Sequence, residues 1–119
     1  MAAPCEKAVR RYYELVDEGD VPGLVALFGP DAVYHRPGYP PLCGREELRR
    51  FYSAQRVIKE GRHTIGTIVA STDDVAVHGS FQGTLHNGDA VETRFADFFR
   101  FNSDGTFSRR DTFFFVPLI

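Results

Sequence analysis

Asp97 stands in the run "FADFFRFN", Phe95 to Asn102, where most of its neighbours are apolar or aromatic. Successive side chains of an extended segment leave opposite faces. Thr93, Phe95, Asp97, Phe99 and Phe101 therefore share one face, and Glu92, Arg94, Ala96, Phe98 and Arg100 the other. A carboxylate among phenylalanines has to be paired, hydrogen-bonded or held protonated. Two chemistries fit: an acid facing a pocket, or one half of a salt bridge to Arg110 or Arg36. Four histidines are the other proton carriers. His35 and His78 sit within strands and are candidates for moving a proton near neutral pH, whereas His63 and His86 fall at strand ends and read as surface residues. None has metal-ligand spacing or a carboxylate partner, so no metal site is expected. Cys5 and Cys43 read as free thiols, and no base pairs with Cys43 to make it a nucleophile.

The elements that must position these groups are legible from periodicity and punctuation. Pro4 suits a first helical turn, and Cys5, Ala8, Val9, Tyr12, Leu15 and Val16 recur at helical spacing until Gly19. Tyr12 lies at the centre of that stripe. Asp20 caps a short second helix with Pro22 in its first turn. "DAVYHR" is a short strand, and "PGYPPLCG" is irregular because its prolines remove donors. A third helix is predicted from Arg45 to about Glu60, with Leu48, Phe51, Tyr52 and Val57 or Ile58 on its buried side. Strands then follow over His63–Ser71, Val75–His86, Ala90–Phe101 and Thr106–Pro117, with hairpin signals at Asn87-Gly88, "STDD" and "NSDG". Helices preceding such a meander pack on one face of a sheet that must curl around a pocket.

The chain has 119 residues, enough for one domain and one core. Its net charge of −2 gives no reason to expect nucleic acid or an anionic membrane as partner. No stretch has the length and apolarity of a signal peptide or a membrane span, so the protein is expected to be cytoplasmic. Of eleven phenylalanines most crowd into the last quarter of the chain, where they fill a core or line a cavity.

The segments "RYYELVDEGDVPGLVALFGPDAVY", "GREELRRFY" and "DFFRFNSDG" together resemble the ketosteroid isomerases, within the wider superfamily of nuclear transport factor 2-like (NTF2-like) and SnoaL-like domains. The resemblance spans nearly the whole chain and implies an α+β cone, with three N-terminal helices packed on a curved antiparallel sheet around a central pocket. It also implies an enzyme needing no cofactor. By position, the oxyanion-hole tyrosine of that family falls on Tyr12, its second donor, an aspartic acid kept neutral by apolar surroundings, on Asp97, and a supporting tyrosine on Tyr52. The family's base aspartate is missing. "YHRPG" puts Arg36 at that place, or His35 if a one-residue gap falls earlier, and arginine stays charged and cannot take a proton. Strand alternation lets only one of the two enter the pocket.

Strand-to-strand matching further implies a pocket lined by His78, Ser80, Gln82, Arg110, Thr112 and Phe114, with Phe51, Phe95 and Phe99 as apolar walls. By alternation alone His78, Ser80 and Gln82 read equally as a solvated face. The expected activity is isomerisation of a carbonyl compound by enolisation, with Tyr12 and Asp97 stabilising an enolate oxygen, Tyr52 supporting Tyr12, and His35 or His78 moving the proton. The alternatives are an aldol-type SnoaL-like polyketide cyclase, a variant within the same enzyme class in which Asp97 is an ionised acid/base and Arg36 or Arg110 holds an anionic group of the substrate, or a small-molecule-binding module without turnover. Phe113, Phe115 and Val116 on the outward face suggest a homodimer.

Overall fold

The structure, a computed structural model, describes residues 4–115. Helix α1 (Pro4–Glu18) buries Val9, Tyr12, Tyr13, Leu15 and Val16. Gly19, at φ 77°, reverses the chain after it. Asp20 accepts the Gly23 backbone N–H at 2.9 Å and so opens α2 (Val21–Ala26). Strand β1 (Phe28–His35) follows, then the two-residue β2 (Leu42–Cys43), α3 (Gly44–Arg50) and a single π-helical turn, Phe51–Gln55. The meander is β3 (Ile58–Ala70), β4 (Asp74–Leu85), β5 (Ala90–Phe101) and β6 (Phe107–Phe114).

The third helix is shorter than its pattern predicts. It gives way at Gln55, and Ile58 begins β3 by pairing with Leu85 of β4. Strand pairing to β4, and the β-branched Val57 and Ile58, outweigh continued helical spacing there. β6 ends at Phe114 rather than Pro117, which lies outside the described residues, as does Val116.

Six strands form one sheet in the order β2-β1-β6-β5-β4-β3. The four-stranded meander is antiparallel, while β1 joins β6 in parallel, so the sheet is mixed. Register shifts in the β1/β6, β3/β4 and β5/β6 pairs add curvature, and the sheet stays unclosed around the helices in an NTF2-like cone. The concave face carries the core: Val75, Val77 and Phe81 of β4, Phe95 and Phe99 of β5 and Phe107 of β6 pack against Val9, Tyr12, Tyr13 and Leu24. On the convex face Phe98, Phe113 and Phe115 are exposed beside Arg94 and Arg100.

Gly79 of β4 sits at a close approach between strand and core. A methyl group at Gly79 would be driven into the Thr64 carbonyl oxygen and would lie 3.0 Å from the Phe95 ring. We expect Gly79→Ala to destabilise the fold by about 1–3 kcal/mol. A urea unfolding midpoint unchanged from the wild type would contradict that close packing.

Candidate active site

Register alone assembles the floor of the cone. Asp97 of β5 lies directly across from Thr112 of β6 and Val77 of β4, while Arg110 lies across from Phe99 on one side and Tyr34 of β1 on the other. Directly opposite residues share a face, so Tyr34, Arg110, Thr112 and Asp97 all point inward. Helix α1 closes over them with Tyr12 and Tyr13. The π turn then brings Tyr52 beside Tyr12, because its wider winding lets both Phe51 and Tyr52 face the interior.

Asp97 is fully buried and its oxygens are all accounted for. Oδ2 accepts from the Tyr13 hydroxyl and from Arg110 Nη2 at 2.8 Å, and Oδ1 accepts from Thr112 Oγ1. Three donors converge on it, one of them a guanidinium, and that is the environment of a carboxylate and not of a donating acid. Thr112 spends its only proton on Asp97, so the Tyr34 hydroxyl, 3.2 Å from Thr112 Oγ1, must be the donor in that pair. Arg110 is sandwiched between the Tyr12 and Tyr34 rings, its Cζ 4.7 and 4.5 Å from their centroids. Burial opposes its charge, but Asp97 and the surrounding tyrosines outweigh burial and hold Arg110 above the usual arginine range.

The other end of Arg110 reaches two phenols. Nη1 donates to Tyr12 Oη at 2.7 Å and to Tyr52 Oη at 3.2 Å, and the two hydroxyls hydrogen-bond each other. Two phenols hold two protons, and their mutual bond uses one. The second is free to meet an oxygen in the cleft. Tyr52 is the more accessible of the two, since Tyr12 is 1 % exposed. Burial pushes the Tyr52 phenol up to about 12 and the Tyr12 phenol well above the ordinary value, so both remain protonated at neutral pH.

Above this floor lies a cleft lined by Tyr12, Tyr34, Tyr52, Arg110 and Thr112, with Arg36, Arg56 and His63 at its walls and Ile58, Phe81, Phe95 and Phe114 as apolar surface. It spans about 380 Å³ of free space, part of it open to solvent. It is pinched, with room for roughly one water molecule in its interior.

His63 is held by a residue 46 positions earlier in the chain. Asp17 Oδ1 lies 2.7 Å from His63 Nδ1, and Asp17 Oδ2 accepts the His63 backbone N–H at 2.9 Å. A carboxylate on Nδ1 fixes the tautomer with its proton there and leaves Nε2 as the acceptor. Burial pulls the imidazole below its ordinary value of 6.5 despite Asp17, so His63 is neutral at pH 7. The unfolded chain thus binds this proton more readily than the folded one. Stability from His63 is full above pH 6.5 and is lost as pH falls through the lower folded value. We expect the urea midpoint to drop between pH 7 and pH 5 more in the wild type than in His63→Gln, and equal drops would contradict a buried neutral imidazole.

Of the residues singled out in the sequence, the structure gathers Tyr12, Tyr52, Arg36, Phe95, Arg110, Thr112 and Phe114 at the cleft. Phe51 is fully buried behind Arg36, and Phe99 beneath Arg110. Asp97 stands behind Arg110 and does not meet Tyr12, so the expected Tyr12/Asp97 pair of oxyanion donors is corrected: Tyr13, not Tyr12, bonds Asp97, and Arg110 intervenes.

His35 and Arg36 part as alternation requires, and it is Arg36 that enters. His35 faces away, with Nδ1 2.9 Å from Asp111 Oδ1, which places the proposed base outside the cleft. His78, Ser80 and Gln82 also lie on the convex face, where His78 Nε2 meets Arg94 Nη2 at 3.0 Å. The reason is visible in β4 itself: Val75, Val77 and Phe81 alternate with the polar residues, and the apolar set takes the concave side. Tyr13, Tyr34, Arg56 and the Asp17–His63 pair were missed. Tyr13, four residues after Val9, and Tyr34, two after Ala32, carried a periodic signal. Asp17 carried none.

Among the described residues no group of histidine, cysteine, aspartate or glutamate is gathered to hold a metal ion, and no helix is long and apolar enough to cross a membrane.

Residues 9–110 match the SnoaL-like domain family, and the chain belongs to that family. Its fold is also that of several solved structures. An NTF2-like protein of unknown function from Burkholderia pseudomallei superimposes with a TM-score of 0.86 at 23 % identity, covering 95 % of this chain and 92 % of that one. SalBIII, described as an epoxide hydrolase/cyclase-like enzyme in pyran ring formation in the polyether salinomycin, gives 0.82 at 24 %, covering 92 % and 89 %. TerC, crystallised with polyporic acid, gives 0.82 at 20 %, covering 94 % and 92 %.

Proposed function

We propose that this protein is a SnoaL-type isomerase or cyclase that acts on a carbonyl compound by enolisation. The observation that carries the reading is the proton count at Tyr12, Tyr52 and Arg110: one phenolic proton left over, polarised by a guanidinium, in a narrow cleft. A carbonyl oxygen seated there accepts from Tyr52 and gains negative charge as the neighbouring C–H is broken, and the donors stabilise the enolate more than the ketone. Arg110 acts through the phenols, and Asp97 positions Arg110.

His63 is the histidine that lines the cleft, and its free Nε2 takes the α-proton while Asp17 holds the ring and steadies the imidazolium. Returned at a different carbon, that proton completes an isomerisation. Attack of the enolate carbon on a second carbonyl, with the proton passed to the new alkoxide, completes an aldol-type cyclisation.

The test is deuterium incorporation from solvent into an enolisable bicyclic ketone such as 2-tetralone, followed by proton NMR. Exchange above the buffer rate is expected, reduced by about 10²-fold or more in His63→Gln. Exchange no faster than in buffer across a set of such ketones would end the enzymatic reading. It would favour the second one, a binding module without turnover, which the presence of Arg36 at the place of the family's base already supports.

A further inference from the structure

The charges of the cleft do not balance. Three guanidinium groups line it, those of Arg36, Arg56 and Arg110, and no carboxylate does. Arg110 is answered from behind by Asp97 at 2.8 Å. Arg36 and Arg56 form no salt bridge among the described residues. Two positive charges are thus left facing a narrow, largely apolar space, where water screens them poorly.

Arg36 is held there without being satisfied. Its Cζ lies 5.6, 5.5 and 5.2 Å from the ring centroids of Tyr39, Phe51 and Phe114, and Nη1 donates a long bond of 3.4 Å to Tyr34 Oη. The aromatic faces orient the guanidinium but supply no acceptor. Nε and Nη2 are both buried and find no hydrogen-bond partner among the described residues. These two nitrogens form one edge of the guanidinium, the edge that takes a carboxylate through two parallel hydrogen bonds. Buried donors left open in this way call for an explanation, because native structures leave few of them.

Tyr34 reports the local potential. Burial pushes its phenol up, yet the Arg110 and Arg36 guanidiniums outweigh burial and bring it below the ordinary tyrosine value. The same field that favours a negative oxygen on Tyr34 favours one on a ligand beside it. Arg56, at the mouth with its Cζ 5.7 Å from the Tyr52 ring centroid, adds to that field from the entrance side.

We infer that the ligand of this cleft is an organic anion whose carboxylate, or equally acidic enol, seats on the open edge of Arg36 with Arg56 over it, while its carbon skeleton extends out through the open side, since the pinched interior has room for roughly one water molecule. The inference rests on the proposed function only in taking that ligand to be the substrate. It narrows the substrate to a carbonyl compound bearing a second, negatively charged oxygen function, and it places that function on the Arg36 side and the reacting carbonyl on the Tyr52 side.

The probe is 2-naphthoate, set against the isosteric neutral 2-naphthamide, each titrated into the full chain with the arginine Nε–H and tyrosine resonances followed by NMR. Naphthoate is expected to bind at least about tenfold more tightly than the amide, shifting the Arg36 Nε–H. Arg36→Met should abolish that preference, Arg36→Lys should restore part of it by charge without the fork, and Arg62→Gln on the surface should leave it intact. Equal binding of acid and amide would overturn the inference, and so would absence of saturable naphthoate binding, an undiminished preference in folded Arg36→Met, or an Arg36 Nε–H already bonded to a protein carboxylate in the free protein. Neither probe has an exchangeable α-proton. Naphthoate binding beside failed ketone exchange therefore removes the catalytic reading alone, and ketone exchange without acid preference removes this inference alone.

Discussion

Asp97→Asn is expected to cost the fold about 3–5 kcal/mol, although the substitution changes one atom type and almost no volume. The loss has two sources. Arg110, 4 % exposed, keeps its charge and loses the carboxylate that answers it. The new amide also brings two N–H donors to a place where Tyr13 and Thr112 already donate, so one of its contacts becomes donor against donor. A neutral aspartic acid acting as an oxyanion donor predicts the opposite, since asparagine mimics it closely and would be tolerated. Urea unfolding of the single variant therefore separates the two states of the site. A loss below about 1 kcal/mol would mean that no uncompensated charge was created, and the ion-pair reading would fail. The companion experiment is the paired replacement Asp97→Leu with Arg110→Met, which removes both charges together and is expected to recover most of the stability while leaving no activity.

Tyr52→Phe is expected to lower ketone exchange by about 10²–10³-fold while leaving stability within about 1 kcal/mol. The phenol that carries the free proton is lost, and Arg110 Nη1 keeps its shorter bond, 2.7 Å to Tyr12. Tyr12→Phe should do less to turnover, because Tyr52 then holds its own proton, still bonded to Arg110 at 3.2 Å, and still meets the cleft. The expected order, Tyr52 above Tyr12, reverses the ranking that the ketosteroid isomerase resemblance implies. With Tyr52 held at about 12 by burial, its ionisation cannot produce an alkaline decline in rate near pH 9 or 10. Comparable losses in the two variants, or a larger one in Tyr12→Phe, would move the donating proton to Tyr12.

Most of the fold was legible because its devices are local. Asp20 capping α2, Asn87-Gly88 with Gly88 at φ 94°, and the strict alternation of β5 all lie within a few residues of what they control. The parallel seating of β1 beside β6 was not legible, since it joins segments some 75 residues apart. The site divides in the same way. Asp97 was found because a carboxylate among phenylalanines is conspicuous, and its ion pair with Arg110 was one of the two states the sequence allowed. His78, Ser80 and Gln82 were misplaced by following a family alignment against the alternation written in β4. His63 was misread as a surface residue, because the start of β3 was set too late and nothing within five residues points to Asp17.

The π turn at Phe51–Gln55 gives the site an arithmetic dependence on chain length. A π turn holds one residue more than the α turn it replaces, and each residue of an α-helix advances the side-chain direction by about 100°. Shortening this segment by a single residue would restore regular winding and swing Tyr52 away from Tyr12 and Arg110, with every other residue of the floor unchanged. The donor set of the cleft therefore hangs on one inserted position as well as on the sheet, and within this scaffold a change of length can remove or supply the Tyr52 proton with every sheet residue in place.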